Sequence, residues 1–131
     1  GRWSRGLGDV YKRQDLCDVT RFERVVTRWG DKVLTRLFTS GERKSGSGRR
    51  GMERLAARFA AKEAARKALG AHAAGAWKDV EVVSDSDTGA PSLALHGRAR
   101  LRAESLAVER SHVSLTHQAG MAVAVVVLET S

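Results

Sequence analysis

The sequence predicts an α+β fold: a single compact domain with a small antiparallel sheet packed against one long helix. Three observations support this prediction. An alanine-rich segment of helical period ends at Gly70, an alternating segment and a continuously apolar segment near the C terminus predict two strands, and one cysteine among 131 residues excludes a disulfide framework. A chain of this length is expected to form one domain with a modest core.

The first fourteen residues differ from the rest of the chain. Residues 1–14 show no clear period, and residues 9–14 resemble the translation of a sequencing adapter. We therefore expect residues 1–14 to be a non-native leader and residues 15–131 to form the domain; a genuine basic arm is the alternative. From Asp15 to Val19, polar and apolar residues alternate, which predicts a half-buried strand.

The long helix is expected to bury one face. At about 100° per residue, five apolar residues spread over an arc of roughly 140°: Met52, Leu55, Ala56, Phe59 and Ala60. Glu63 falls inside this arc, and a carboxylate there needs a cation, a metal or hydrogen-bond donors. Glu63 and Lys67 also fit an ordinary i,i+4 pair on a helix surface, and the sequence leaves both interpretations open.

A shorter helix is expected after residue 20. Thr20 and Glu23 have the spacing of a capping box, and Gly30 ends the segment. Arginines at i, i+3 and i+7 form a basic stripe, which is either a solvated face or a docking surface for an acidic partner: Arg21, Arg24 and Arg28. Residues 39–50, with Ser-Gly-Ser-Gly at 45–48, predict a flexible basic loop.

The C-terminal half predicts two hairpins and a helix. Residues 77–83 and 92–95 are expected to pair, and residues 97–108 to form a polar helix. Residues 112–117 alternate as a strand, residues 118–120 form a turn, and residues 121–128 are apolar enough to be a central strand buried on both faces.

The long helix also resembles a known family. The pattern Phe59-x-x-Lys62-Glu63-Ala64-x-x-Lys67-Ala68-Leu69-Gly70 is similar to the signature of holo-[acyl-carrier-protein] synthase, the short type of 4'-phosphopantetheinyl transferase, and the resemblance extends over residues 15–129. It implies a homotrimer with active sites between subunits. It also implies transfer of 4'-phosphopantetheine from coenzyme A to a serine of apo-acyl carrier protein, in fatty acid biosynthesis, with adenosine 3',5'-bisphosphate as the second product. A single cysteine and the absence of a visible signal peptide favour the cytoplasm.

The resemblance also assigns roles to residues. It implies that Asp15 and Glu63 hold Mg²⁺. The residues implied to be catalytic are Glu63, Lys67 and His117, and those implied to bind coenzyme A are Lys67, Gly70, Arg49, Arg50 and His117. The residues implied to bind the carrier protein are Arg21, Arg24, Val25 and Arg28. Gln118 stands where the family has an aspartate, so the general base stays open among His117, Glu63 and a metal-bound water.

Composition sets the outer limits of function. A net charge of +8 favours an anionic partner. The alternatives to the transferase are a basic nucleic-acid-binding module, which would leave Glu63 on an apolar face unexplained, and an inactive relative that only binds carrier protein. For the transferase we expect no nucleic-acid partner, and the few aromatic residues give little support to a base-stacking surface. We also expect no membrane association, since no apolar run reaches the roughly 18 residues of a membrane span.

Overall fold

A computed structural model describes residues 10–130. The elements follow one another as β1 (Val10–Asp18), α1 (Val19–Trp29), α2 (Asp31–Leu37), α3 (Ser40–Lys44), α4 (Gly51–Leu69), a 3₁₀ turn (Trp77–Asp79), β2 (Val80–Ser84), β3 (Pro91–Leu95), α5 (Gly97–Ser105), β4 (Val108–Gln118) and β5 (Met121–Thr130). The predicted α+β class is confirmed. No helix in this part of the chain has the length and apolar character needed to cross a membrane.

Strands form two antiparallel units. The larger sheet has the order β1-β5-β4, and β2 pairs with β3 as a separate hairpin. The turn between β4 and β5 uses Ala119 and Gly120, both with positive φ, as a two-residue hairpin of matching twist requires. Strand β5 is central, as predicted, but its burial alternates: one face is fully buried against α4, while the opposite face is only half-buried.

Helix α4 lies at the centre of the molecule and is buried on more sides than predicted. Its small residues contact the sheet on one side and α1, the β2–β3 hairpin and α5 on the others. Twelve of its nineteen residues are buried, including Arg58 and Lys62. Alanine permits this close approach from several directions because its side chain is short, and Gly70 ends the helix with φ of 90°.

Two local predictions were wrong. Helix α1 begins before Thr20, and Asp18 is its N-cap, accepting a hydrogen bond from the Arg21 amide at 3.0 Å. The capping-box pattern instead occurs at Thr39 and Glu42, where both reciprocal bonds are present at the start of α3. Part of the predicted flexible loop is therefore an ordered helix.

The end of the expected leader forms part of the sheet. Residues 10–14 extend β1 and pair with β5 from Glu129 to Val125. Residues 1–9 lie outside the described part of the chain. The expected boundary after residue 14 thus falls within a continuous strand, whose pairing continues to Asp18 opposite Met121.

Candidate active site

Two carboxylates and an ammonium group meet between β1 and α4. Asp15 pairs with Ala124 of β5 and therefore lies on the sheet face that packs against the helix. The Nζ atom of Lys67 lies 3.2 Å from Oδ1 of Asp15, which joins two residues 52 positions apart in sequence. Lys67 therefore makes a contact between α4 and β1, although the sequence also allowed an interpretation as a simple pair along the helix.

Glu63 occupies the same place, and its environment disfavours its ionised form. Burial raises the pKa of the Glu63 carboxyl above its ordinary value, and the negative charge of Asp15 raises it further. The positive charge of Lys67 acts in the opposite direction and lowers this pKa. Asp15 and Glu63 thus form a carboxylate pair whose mutual repulsion one lysine only partly offsets.

The carboxylate pair fits a hard divalent cation. Oδ2 of Asp15 is buried and has no hydrogen-bond partner while Glu63 is ionised. A protonated Glu63 would hydrogen-bond to Asp15, so a cation between the two carboxylates would take the place of that shared proton. No cluster of three or more metal-ligating side chains occurs within residues 10–130. Two protein carboxylates are nevertheless enough for Mg²⁺, which commonly completes its shell with water and substrate phosphate.

A cleft of about 390 Å³ opens beside Glu63. Its walls are mainly apolar, with Phe22 and Phe59 among them, and Arg21 and Val25 of α1 line its edge. Cys17 also lines it; burial, followed by the charge of Glu63, raises the pKa of this thiol to about 11. Cys17 therefore stays protonated at neutral pH and is unsuited to act as a nucleophile.

The predicted docking residues follow one side of α1. Arg21 and Val25 face the cleft, whereas Arg24 and Arg28 line an adjoining shallow groove on the same helix. All four are exposed, and Val25 leaves 39% of its surface accessible. The basic stripe therefore reaches the cleft beside Glu63 at Arg21.

His117 and two predicted arginines lie at the other end of α4. Nε2 of His117 is 2.9 Å from the Glu53 carbonyl oxygen, ten residues before Glu63, which corresponds to about 15 Å along the helix axis. A carbonyl can only accept, so Nε2 carries the proton and Nδ1 is the nitrogen that could accept one. Arg49 and Arg50 are exposed immediately before α4 begins.

The predicted site residues therefore divide into two groups. Gly70 caps the C-terminal end of α4 next to Lys67, while Arg50 caps the N-terminal end. The nineteen helical residues between them span about 28 Å. Within one chain, the structure brings together Asp15, Glu63, Lys67 and Gly70, and it separates them from Arg49, Arg50 and His117.

Sequence reasoning missed a buried arginine near the second group. The side chain of Arg58 donates from Nη2 to Ser84 Oγ at 2.7 Å, while its Nε is buried without a partner. Burial lowers the pKa of this guanidinium. A cavity of about 250 Å³ adjoins it, with Ser45 among the lining residues. The arginine lies in the middle of an alanine-rich helix, and helical projection alone did not indicate this cavity.

A buried ion pair was also missed. Lys62 and Glu42 have fully buried side chains, and Lys62 Nζ lies 2.7 Å from Glu42 Oε1. The sequence did contain a signal that Lys62 faces the interior. Lys62 follows Leu55 by seven residues, so the two project within about 20° of each other around the helix, a smaller angle than that between Leu55 and Glu63. The Thr39-x-x-Glu42 spacing of a capping box was a second signal.

Comparison with protein families identifies a match over most of the chain. A family model described as the 4'-phosphopantetheinyl transferase superfamily matches residues 15–126. The holo-[acyl-carrier-protein] synthase of Geobacter sulfurreducens is 46% identical over 118 residues, covering 88% of this chain and 93% of that protein. The enzyme of the same name from Salinispora arenicola is 47% identical over 116 residues, with coverage of 88% and 93%.

Solved structures agree with these matches. The Helicobacter pylori holo-[acyl-carrier-protein] synthase in complex with coenzyme A has a TM-score of 0.77 and 27% identity, covering 89% of this chain and 98% of that one. The Bacillus anthracis synthase in complex with CoA (3',5'-ADP) has a TM-score of 0.71 and 32% identity, with coverage of 95% and 97%. The fold and the family thus agree.

Proposed function

Because this chain belongs to the 4'-phosphopantetheinyl transferase superfamily, we propose how its own residues transfer 4'-phosphopantetheine from coenzyme A to an apo-acyl carrier protein. The activity is that of a holo-[acyl-carrier-protein] synthase. The observation that carries the assignment of residues is the meeting of Asp15, Glu63 and Lys67 beside a cleft that is edged by arginine.

Asp15 and Glu63 would hold Mg²⁺. When bound, the ion would neutralise charge on the pyrophosphate of coenzyme A and stabilise the charge that develops as the bond to the leaving group breaks. Oδ2 of Asp15 supports this role because it is buried and has no partner in the protein. Lys67 is half-exposed beside the pair, so its ammonium can swing to a phosphate oxygen.

The reaction is a substitution at phosphorus. The serine oxygen of the carrier protein forms a bond to the phosphorus that bears the pantetheine arm, and the bond from that phosphorus to adenosine 3',5'-bisphosphate breaks. The serine proton passes to a base. The candidates for this base are Nδ1 of His117, Glu63 and a water bound to the metal.

Two copies of the chain would complete one site. About 15 Å of helix separates the carbonyl bound by His117 from Glu63, so these two side chains of one copy cannot both contact the same phosphoryl group. A head-to-tail contact, in which the N-terminal end of one α4 meets the C-terminal end of another, would bring the two groups together. Such heterologous contacts close into rings, and a homotrimer is the simplest ring of this kind.

The outer face of the larger sheet supports association. Val123, Val125 and Val127 point away from the α4 side and are only half-buried in the single chain. Leu16, opposite Val123 in β1, leaves 55% of its surface exposed. An apolar strip of this kind is more stable when a second copy covers it.

The carrier protein would dock along α1. Carrier proteins of this class are acidic helical bundles according to the family resemblance, and the stripe of Arg21, Arg24 and Arg28 has the complementary charge. Val25 would supply an apolar contact at the centre of the stripe. Docking here would place the carrier serine at the mouth of the cleft beside Glu63. We place this reaction in cytoplasmic fatty acid biosynthesis.

The direct test is the intact mass of an apo-acyl carrier protein after incubation with this protein, coenzyme A and Mg²⁺. We expect the carrier protein to gain the mass of one phosphopantetheine. The gain should disappear with a chelator and with Glu63→Gln, but persist with Glu104→Gln, which removes an exposed carboxylate on α5.

Two negative outcomes have different meanings. Binding of carrier protein without any mass gain in the wild type would identify an inactive relative and overturn the proposed activity. Full activity of Glu63→Gln would leave the transferase assignment intact and overturn the proposed metal site.

A further inference from the structure

The buried pair of Lys62 and Glu42 has no part in the chemistry above. Its two side chains are completely shielded from solvent, and burial lowers the pKa of Lys62 whereas the charge of Glu42 raises it. Burying two charges is expensive, and apolar residues of similar size often stabilise a fold equally well. A buried pair of this kind is therefore weak evidence for a role in stability alone.

The carboxylate of Glu42 joins its own helix, α3, to α4 and to β2. Oε1 accepts hydrogen bonds from Lys62 Nζ of α4 at 2.7 Å and from the Thr39 amide at 2.9 Å. Oε2 accepts a hydrogen bond from the Val82 amide of β2 at 2.8 Å. Three donors arrive from different directions, so the position of α3 is determined by a charge that only Lys62 balances directly.

The same residue begins a chain of contacts into the basic segment, residues 43–50. The amide and hydroxyl of Ser45 donate to the Glu42 carbonyl oxygen at 3.1 and 2.5 Å. Arg54 of α4 then donates to the carbonyl oxygens of Ser45 at 2.7 Å and Ser47 at 2.5 Å. The backbones of Gly46 and Gly51 lie so close that a methyl group on Gly51 would overlap the Gly46 carbonyl.

The basic segment is therefore held from both ends, by Glu42 before it and by α4 after it. Arg49 and Arg50 follow directly and are exposed. Their backbone positions depend on contacts that lead back to Glu42, while their side chains stay free to meet a phosphate.

We propose that Lys62 and Glu42 are positioning residues for coenzyme A binding: their buried ion pair holds the basic segment in the conformation that presents Arg49 and Arg50 to the nucleotide. This inference rests on the proposed function and on the role that the family resemblance implies for Arg49 and Arg50, which is to bind coenzyme A. The pair itself never touches the substrate, because both side chains are inaccessible.

The test compares Lys62→Met, Glu42→Gln and the double variant with the wild type. For the single variants we expect KM for coenzyme A to rise at least about tenfold, because each leaves a buried group without its charged partner. We expect kcat, measured at saturating coenzyme A, to change much less. The double variant should regain much of the lost affinity, since neither charge then remains buried alone. Lys78→Met removes an exposed lysine as the matched control.

Hydrogen exchange, measured without coenzyme A, tests whether the ion pair orders residues 43–50. In Lys62→Met, amides of residues 43–50 should exchange faster, while those of β4 and β5 keep their protection. If Lys62→Met does not fold, Glu42→Gln provides the same comparison, because it leaves the buried Lys62 without its charged partner. Equal loss of protection throughout the chain, or a fall in kcat with KM unchanged, would overturn the proposal. Absence of transferase activity in the wild type would overturn the proposed function, while the exchange result would still decide whether the pair orders this segment.

Discussion

The ammonium of Lys67 lies 3.2 Å from one carboxylate oxygen of Asp15, while the other oxygen of Asp15 is buried and unpartnered. Lys67 therefore contacts Oδ1 of Asp15 and leaves Oδ2 available to a cation. Glu63 adds a second negative charge; burial and then the charge of Asp15 raise the pKa of its carboxyl, and the charge of Lys67 offsets this only in part. This excess of negative charge is consistent with the cation site proposed above, and it determines how several variants should behave.

Without metal, Glu63→Gln should be more stable than the wild type. The folded state raises the pKa of Glu63, so its contribution to stability is complete below its ordinary value of about 4.3 and is lost as pH rises through the raised value. Glu63→Gln has no carboxyl group to ionise, so it does not lose this stability. The difference in melting temperature between the variant and the wild type should therefore grow with pH. Thermal melting in chelator from pH 4 to 8 measures the effect; Mg²⁺ should then stabilise the wild type but not the variant. A lower melting temperature for the variant in chelator would contradict this account.

Lys67→Met should reduce transfer and shift its pH dependence. We expect kcat/KM to fall by about 10²-fold because a positive charge near the leaving group is lost. The charge of Lys67 lowers the pKa of Glu63, so without it the acidic limb of the pH profile should move to higher pH. A pH–rate profile of the variant beside Lys78→Met measures both effects. An unchanged acidic limb would show that Glu63 ionisation does not control the reaction.

Mixing two inactive variants should restore activity if the site is shared. Glu63→Gln and His117→Ala damage opposite ends of α4, and a mixed oligomer contains interfaces at which both intact residues meet. With random mixing in a closed ring, roughly a quarter of the sites should be intact. The measurement is transferase activity after joint refolding, with each variant refolded alone as the control. Activity no greater than the average of the two would contradict a site completed by a second copy.

Reversing charge on α1 should weaken docking of the carrier protein. Arg24→Glu combined with Arg28→Glu should raise KM for the carrier at least about tenfold at low salt, with kcat nearly unchanged, because these exposed charges steer association more than they affect chemistry. Added salt should reduce the difference in KM for the carrier between this variant and the wild type. Arg100→Glu on α5 provides an exposed control. An equal effect of the control would show that net charge, and not the α1 stripe, governs association.

Several features of the fold were predictable from local patterns. The helical period of the alanine-rich stretch before Gly70 and the apolar run of residues 121–128 specify a helix and a strand, and both elements occur where expected. The start of α1 could not be predicted in this way. Asp18 and Thr20 are both good N-cap residues, and only the geometry at the end of β1 selects Asp18. Residues 45–48 are rich in glycine and serine, which is typical of a flexible loop, yet contacts with Arg54 order them.

The candidate site, like the fold, was predictable from the sequence only in part. Motif resemblance identified Asp15, Glu63 and Lys67, and the structure brings them together. The same motif could not indicate that His117 lies at the opposite end of α4, since that depends on the register of β4 against β5.

The sequence by itself determined the α+β class, the central helix and the identity of the family, because helical and strand periods and a dense local motif are properties of neighbouring residues. Only the tertiary structure decided that Lys62 meets Glu42 in the interior, that Lys67 pairs with Asp15, and that the predicted site residues separate into two groups. These relationships join residues distant in sequence. They follow from how the elements pack, which no local pattern encodes.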